Sequence, residues 1–362
     1  MSAGDVRSLL AGIGKAARPA GSESESAARR LCSDWLIGAG LKVEEREFTY
    51  SAFPGAWGTP IVGFTLVLTA IMTAVRVASG GAAADRAMRA SLVILILAAS
   101  ASWWMGRYGT RLLPIMRRTG LNLEARRGLP VVWLIAHLDS KSQPFSLLSR
   151  ASASVATVIA WACAIVVWGL SHGVQVPPWL VLGLVSCAGA ASVPLLLSWV
   201  GEKAVGALDN ASGVAAILAA VRTLGPATQI GVLITTAEEL GLAGARAWVE
   251  GKEPGTAINC DGVDDRGRTT ITAAGRGRGI WQSLHQSGII RSDVRLRRNI
   301  PGVLLDSTAF SDRGWAACTV SRGNLSSLAR IHTSRDCLEQ LSGSGINEVS
   351  AMIAALAGAI IA

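Results

Sequence analysis

The sequence predicts an α/β protein with a largely parallel sheet, interrupted by about four inserted transmembrane helices. Three observations predict it. From Gly201 onward the chain alternates short apolar strands with helices, the pattern of a layered α/β domain. Upstream lie four apolar runs in two pairs, each close to the roughly 20 residues that a spanning helix needs. Charged residues make up only 16% of the 362 residues and half are hydrophobic, against roughly a quarter charged in an average soluble domain.

Residues 1–52 have soluble character and open the α/β domain; the initial MSAGDVRSLLAGIGK has no apolar core long enough for a signal peptide. Residues 22–39 repeat apolar side chains at helical spacing, with Ser and Glu at the start and Gly40 as a stop. Residues 41–50 alternate as a half-buried strand does. The first apolar insert, 53–106, contains runs at 61–77 and 90–105, with Trp57, Trp103 and Trp104 as interfacial anchors. Joined by a short Gly/Ala/Arg turn, these runs read as a spanning hairpin; a pair of buried core helices is the alternative. Residues 107–145 return to soluble character, with strands at 121–126 and 131–136, the second wholly apolar and running into His137. The second insert, 146–200, pairs apolar runs at 151–170 and 179–200 across the turn 171–178. In the last segment, 201–362, a helix at 213–224, a strand at 229–236, a helix at 242–249 and a strand at 256–260 follow in turn. Residues 346–361 are apolar enough for a fifth span, but their glycine, asparagine and position favour packing on the sheet.

Each insert contains an even number of spans, so the chain returns to the side it left and every candidate ligand lies in one compartment. Arg107, Arg111, Arg117, Arg118, Lys141, Arg150 and Lys203 flank that side, against Arg76, Arg86 and Arg89 on the other. The bias predicts a multi-pass membrane protein with its α/β domain in the cytoplasm, in contact with the lipid bilayer. The same flanking accounts for much of the net charge of +9, and the basic run 291–298 lacks interleaved aromatics, which argues against nucleic acid as a partner. The six cysteines, Cys32, Cys163, Cys187, Cys260, Cys318 and Cys337, form no CxxC pair. That argues against a thiolate zinc site or a disulfide framework and suits a reducing compartment.

The chain has four histidines. His172 falls in the turn of the second insert and His285 in a helical stretch, and both read as structural or solvated. His137 and His332 each end or follow an apolar segment and have carboxylates close by, as metal-bound imidazoles need to fix their tautomer. His137 and Asp139, two apart at a strand end, can leave one sheet edge together, the imidazole toward a metal and the carboxylate behind it. A polar strand cap is the plain alternative. Asp209 opens DNASG at a helix entry, where it reads either as an N-cap or as a carboxylate bridging two cations. Glu238 and Glu239 follow a buried strand, and burying two adjacent carboxylates for structure alone is costly. One facing a metal and one facing a water resolves that cost. Asp261 directly follows another buried strand, in INCDG. Several of these residues sit at carboxyl ends of strands, where open α/β sheets place their sites. Oxygen and imidazole donors without thiolate suit a hydrolytic pair of zinc ions, with manganese or cobalt as alternatives.

With AHLDS at 136–140, GALDNASGVA at 206–215, TAEELGLAGA at 236–245, NCDG at 259–262, LDSTAFSDRGWAA at 305–317 and IHTSRDCLEQL at 331–341, the chain resembles the M28 family of zinc aminopeptidases. The resemblance covers essentially everything outside the two inserts. It implies the zinc-exopeptidase fold, a central mixed sheet flanked by helices. It also implies two Zn2+, one held terminally by His137 and Asp261, the other by Glu239 and His332, with Asp209 bridging, Glu238 as general base and Asp139 orienting His137. Peptides are then the substrates, hydrolysed at their N-terminal bonds.

The chain departs from the family in its inserts, in lacking an export signal, and in the oxyanion-binding tyrosine that many members carry. Its only tyrosines are Tyr50 and Tyr108, leaving a metal, His285 or Asn324 for that task. A glutaminyl-cyclase-like acyltransferase is an alternative, a similar fold with one zinc that manages without the counterparts of His137 and Asp261. A non-catalytic membrane scaffold is another, against which the complete ligand set and Glu238 count. No acidic residue inside a predicted span supports a transporter. Arg276, Arg278 and Arg322 fit acidic or C-terminal groups on a substrate, while GRGRG at 275–279 lacks the Lys-Ser/Thr of a phosphate loop and reads as a turn.

Overall fold

The computed structural model describes residues 3–274, 294–300 and 302–362. The chain forms two compact units: Met1–Ala52, Pro114–Ser142 and Gly201–Ala362 make the first, Phe53–Leu113 and Gln143–Val200 the second.

In the first unit the described strands are β1 (Lys42–Ser51), β2 (Arg117–Arg127), β3 (Val132–His137), β4 (Ile230–Thr235), β5 (Thr256–Val263), β6 (Arg268–Ala274), β7 (Arg295–Arg298) and β8 (Ala316–Gly323). They form one sheet in the order β1-β2-β4-β3-β5-β8-β6-β7. The centre, β4-β3-β5-β8, is parallel, as is β6-β7, while β1-β2, β2-β4 and β8-β6 are antiparallel. This is the mixed, largely parallel sheet flanked by helices that the sequence predicts.

Helices on both faces explain why β3 and β4 are buried at every position and read as continuous apolar runs. The ring of Trp133 lies over Gly231 so closely that a Cβ there would sit 2.4 Å from it, so no larger residue fits β4 at this point. Trp133 meets Trp248 at 4.5 Å between ring centroids, and Phe310 meets Trp315 at 5.2 Å, a cluster that joins the helices Ala243–Val249 and Asp306–Ser311 to the sheet. The helix Ser212–Thr223 is buried from Ser212 to Val221 and packs on β3, β5 and the helix Ser344–Ile361. In that last helix the buried Ile346, Val349, Ile353 and Leu356 recur at helical spacing, and it packs on β3, β5 and β8. Ser22 caps the helix Glu23–Gly38, its Oγ accepting from the Glu25 amide at 3.1 Å. The sequence reading has no counterpart for the helix Ala3–Ile13 or for β6, β7 and β8.

The second unit is four helices, Phe53–Ser79, Gly81–Trp104, Leu147–Leu170 and Pro178–Leu196. Helical winding continues from Trp104 through Met105–Gly109 to Leu112, so this unit reaches Leu113 where the sequence reading ends the insert at 106. Its second segment starts at Gln143, against the predicted 146. Pro114 stops the helix, because the residue before a proline is forced out of the helical region. The helices approach closely through small residues: a Cβ on Gly63 would lie 2.1 Å from the Leu196 amide nitrogen. Counting the sheet-packed Ser344–Ile361, five described helices are long and apolar enough to cross a membrane.

Candidate metal centre

The parallel strands β3, β4 and β5 end on the same side of the sheet, and their carboxyl ends carry much of the site. His137 is the last residue of β3, Glu238 and Glu239 lie just beyond β4, and Asp261 lies near the end of β5. Asp209 lies at the entrance to the helix Ser212–Thr223, and its peptide bond to Asn210 is cis. His332 follows the short helix Leu325–Leu328. His332 and Ala237 have φ of 68° and 56°, left-handed values that non-glycine residues adopt rarely and mostly at functional sites.

These side chains converge. His137 Nε2 lies 3.2 Å from Asp209 Oδ1 and 3.6 Å from Asp261 Oδ1. His332 Nε2 lies 3.1 Å from Asp209 Oδ2 and 2.9 Å from Glu239 Oε1. Among the described residues His137, Asp209 and Asp261 form one group, and Asp209, Glu239 and His332 another, each with its donor atoms within 4.8 Å of one another. The Asp209 carboxylate therefore turns one oxygen toward each group. Glu238 Oε2 stands 4.0 Å from His137 Nε2.

Three buried side chains lash the loops together. The Asp139 carboxylate accepts from the Glu238 and Glu239 amides, each at 3.1 Å. His137 Nδ1 bonds the Asp139 backbone carbonyl at 3.0 Å, with the carboxylate farther off at 3.7 Å. Asp139 thus orients His137 through its main chain and holds the glutamate pair through its side chain. Asp336 accepts from the amides of Leu208 and Asp209 at 2.6 and 3.1 Å. Arg18, 1% exposed, donates to the carbonyls of Leu138 (2.8 Å), Val205 (2.9 Å) and Gly206 (2.9 Å), tying the loop after His137 to the loop before Asp209.

The electrostatics call for cations. Asp139, Asp209, Glu238, Glu239, Asp306 and Asp336 are all buried, and the Lys141 ammonium that reaches Glu239 Oε2 at 2.9 Å offsets one charge. Burial, with Glu239, Asp261 and Asp306 nearby, drives the Glu238 carboxyl well above its ordinary range against the pull of His137. Glu239 resists its burial because His332 and Lys141 draw it down to about 2. Asp209, likewise buried, is held below the usual range by His137 and His332. Burial pushes Asp306 up to about 7; its Oδ2 accepts from Thr235 Oγ1 at 2.6 Å and its Oδ1 has no partner among the described residues. Two imidazoles and three carboxylates, with no thiol, make a donor set that fits zinc and related divalent ions.

All seven residues singled out in the sequence meet here. Other expectations fare differently. Asn324 Oδ1 caps the helix Leu325–Leu328 by accepting from the Ser327 amide at 3.1 Å. Arg322 pairs with Glu348 at 3.0 Å. Tyr50 is buried against Ala237 and Leu240. His285, Arg276, Arg278 and the 275–279 turn lie outside the described residues. Arg18, Asp306 and Asp336 have no role in the sequence reading, although Asp306 and Asp336 fall within the motifs LDSTAF and HTSRD.

Comparison with known proteins completes the picture. The model of peptidase family M28 matches residues 122–357. No curated protein is matched by sequence. Among solved structures, the chain is similar to an aminopeptidase from Aneurinibacillus sp. strain AM-1, with 15% identity, 98% of this chain and 93% of that one covered, and a TM-score of 0.56. It is similar to BSAP, a zinc aminopeptidase from Bacillus subtilis, with 13% identity, coverage of 98% and 94%, and a TM-score of 0.55. A Fimbriiglobus ruber glutaminyl cyclase shares the fold at 12% identity, with coverage of 99% and 95% and a TM-score of 0.54. Sheet, convergent donors and the match over most of the first unit agree: the chain belongs to peptidase family M28 and is a metallopeptidase.

Proposed function

We propose that the chain is a membrane-embedded aminopeptidase with a dinuclear zinc site, hydrolysing N-terminal peptide bonds on the cytoplasmic side. The peptidase domain comprises the first unit, into which the two helical hairpins are inserted. The observation that carries the two-ion reading is the Asp209 carboxylate, whose oxygens face His137 at 3.2 Å and His332 at 3.1 Å. His137 and Asp261 would hold one ion, Glu239 and His332 the other, with Asp209 shared. Divalent cations, when bound, supply Lewis acidity toward the scissile carbonyl and toward water.

The chain supplies the rest. Glu238, anchored through its amide by Asp139, takes the proton of the attacking water on its carboxylate and passes it to the leaving amine. A free α-amine on the substrate could also lie against one of the ions, which would select N-termini. The membrane reading draws on outward-facing apolar residues of the second unit, Leu97 at 62%, Val158 at 68% and Trp179 at 69% exposed, in helices long enough to span.

Metal analysis of detergent-purified protein, combined with aminoacyl-anilide hydrolysis by the parent and by Glu238→Gln, tests this function. Two zinc ions per chain with turnover lost in the variant is the expected result. The glutaminyl cyclase likeness supports a second reading, and cyclisation of N-terminal glutamine without anilide hydrolysis would select it. Full metal loading without any turnover would select the scaffold.

A further inference from the structure

Within the second unit, the helices Phe53–Ser79 and Gly81–Trp104 border a cavity of about 610 Å³, inside the roughly 300–1,000 Å³ typical of small-molecule sites. Its two ends differ. Toward one end the walls are Phe64, Leu68, Met72 and Ile94, all exposed on the surface of the helices. The hydroxyls along the floor are already used: Thr69 donates to the Thr65 carbonyl at 2.7 Å, and Thr73 and Ser91 bond each other at 2.5 Å. The floor therefore behaves as apolar surface. At the other end stand the guanidinium groups of Arg76 and Arg86, both exposed and neither in an ion pair among the described residues. Their neighbour Asp85 is engaged by Trp168 Nε1 at 2.9 Å and by His172 at 3.6 Å. From Phe64 to Arg76 the helix rises about 18 Å.

A slot of that length, greasy along its walls and doubly cationic at one end, complements an amphiphile with a single anionic head. We propose that it binds an anionic phospholipid, the head-group phosphate against Arg76 and Arg86 and one acyl chain along Phe64, Leu68, Met72 and Ile94. The proposal rests on the membrane reading above. In that reading the turn at Gly80–Gly81 lies at the lipid–water interface and the slot runs from it into the hydrocarbon, the orientation in which a phospholipid presents itself. Two unpaired arginines favour a net negative head over a zwitterionic one, which brings its own ammonium.

The test uses the full chain, equilibrated with equal phosphatidylglycerol and phosphatidylcholine in mixed micelles, with bound lipid counted by native mass spectrometry. The parent is expected to retain phosphatidylglycerol preferentially, and Arg76→Gln/Arg86→Gln to lose that preference by about 25-fold, fivefold per arginine. Arg89→Gln removes the same charge from the same helix outside the cavity and is expected to leave the preference intact. Ala87→Trp, which fills the slot, is expected to lower retention of both lipids. An absent preference in the parent, an unchanged one in the double variant, or an equal loss in Arg89→Gln overturns the site. Recovery of the chain in the soluble fraction without detergent would instead overturn the membrane reading itself.

Discussion

The two units bury and expose different mixtures of side chain. In the first, β3 and β4 hide apolar residues at every position, and the charged groups that go inside with them are cross-linked by Arg18, Asp139, Asp336 and Lys141. In the second, Thr73, Ser91, Thr157 and Ser192 are buried while Leu97, Val158 and Trp179 face out. The first pattern is what water imposes, since apolar area leaves it favourably and buried charge must be paired. The second fits the proposed membrane reading, in which apolar residues gain little by turning inward and small and hydroxyl side chains can share the contacts. On that reading one chain obeys two solvents.

That contrast can be broken or sharpened by substitution. The largest effect is expected at the charged interior of the first unit: Glu238→Gln should cut peptide hydrolysis about a thousandfold while zinc content and melting temperature hold. A rate within tenfold of the parent would remove Glu238 from the base role. Next comes Arg18→Met, which strands the carbonyls of Leu138, Val205 and Gly206 and should cost about 3 kcal/mol or more, with weaker zinc retention on dialysis. Arg18→Lys should recover part of both; an unchanged melting curve for the methionine variant would show that the clamp is idle.

Sharpening the contrast needs matched substitutions on the two surfaces. Val158→Arg, at the middle of Leu147–Leu170, should cost about 3 kcal/mol in membrane integration, read as loss from the membrane fraction. Leu129→Arg in the first unit, where the leucine is 83% exposed, should change stability by no more than about 0.5 kcal/mol. Equal tolerance at the two positions would place both in water. A further effect concerns pH. Burial, with Asp139 nearby, lifts the Glu25 carboxyl from the ordinary range to about 7. Between about pH 4.5 and 7 the folded chain keeps a proton that the unfolded chain has released, so stability falls as pH rises through that window. Glu25→Gln should flatten the fall by about 3 kcal/mol, measured in parallel melts; an identical slope would sink the assignment.

How much of this was legible in the chain depends on distance along it. The strand that ends in His137, the Glu238-Glu239 pair beyond an apolar run and the paired apolar inserts all announce themselves within ten or twenty residues. Arg18 does not, because its partners lie 120 and more positions away and a lone arginine beside a proline carries no local signature. Asp336 sits in a quoted motif, yet only folding brings its carboxylate to the Leu208 and Asp209 amides. Asn324 looked available for chemistry because a cap residue and a catalytic amide are the same side chain until its neighbours are known. Strand β6 alternates in RTTITAA and was detectable, whereas β7, RLRR, is too short and charged to read as a strand.

By itself, the sequence determined many of the elements, including the strands that end at the site, and which side chains are fit for metal chemistry, because helical and strand periodicity, burial of apolar runs and donor type are local properties. Only the tertiary structure decided the strand order, the division of Asp209 between two imidazoles and the clamps behind them. Those depend on pairings between segments a hundred or more residues apart, where backbone register and buried hydrogen bonds, not composition, set the geometry.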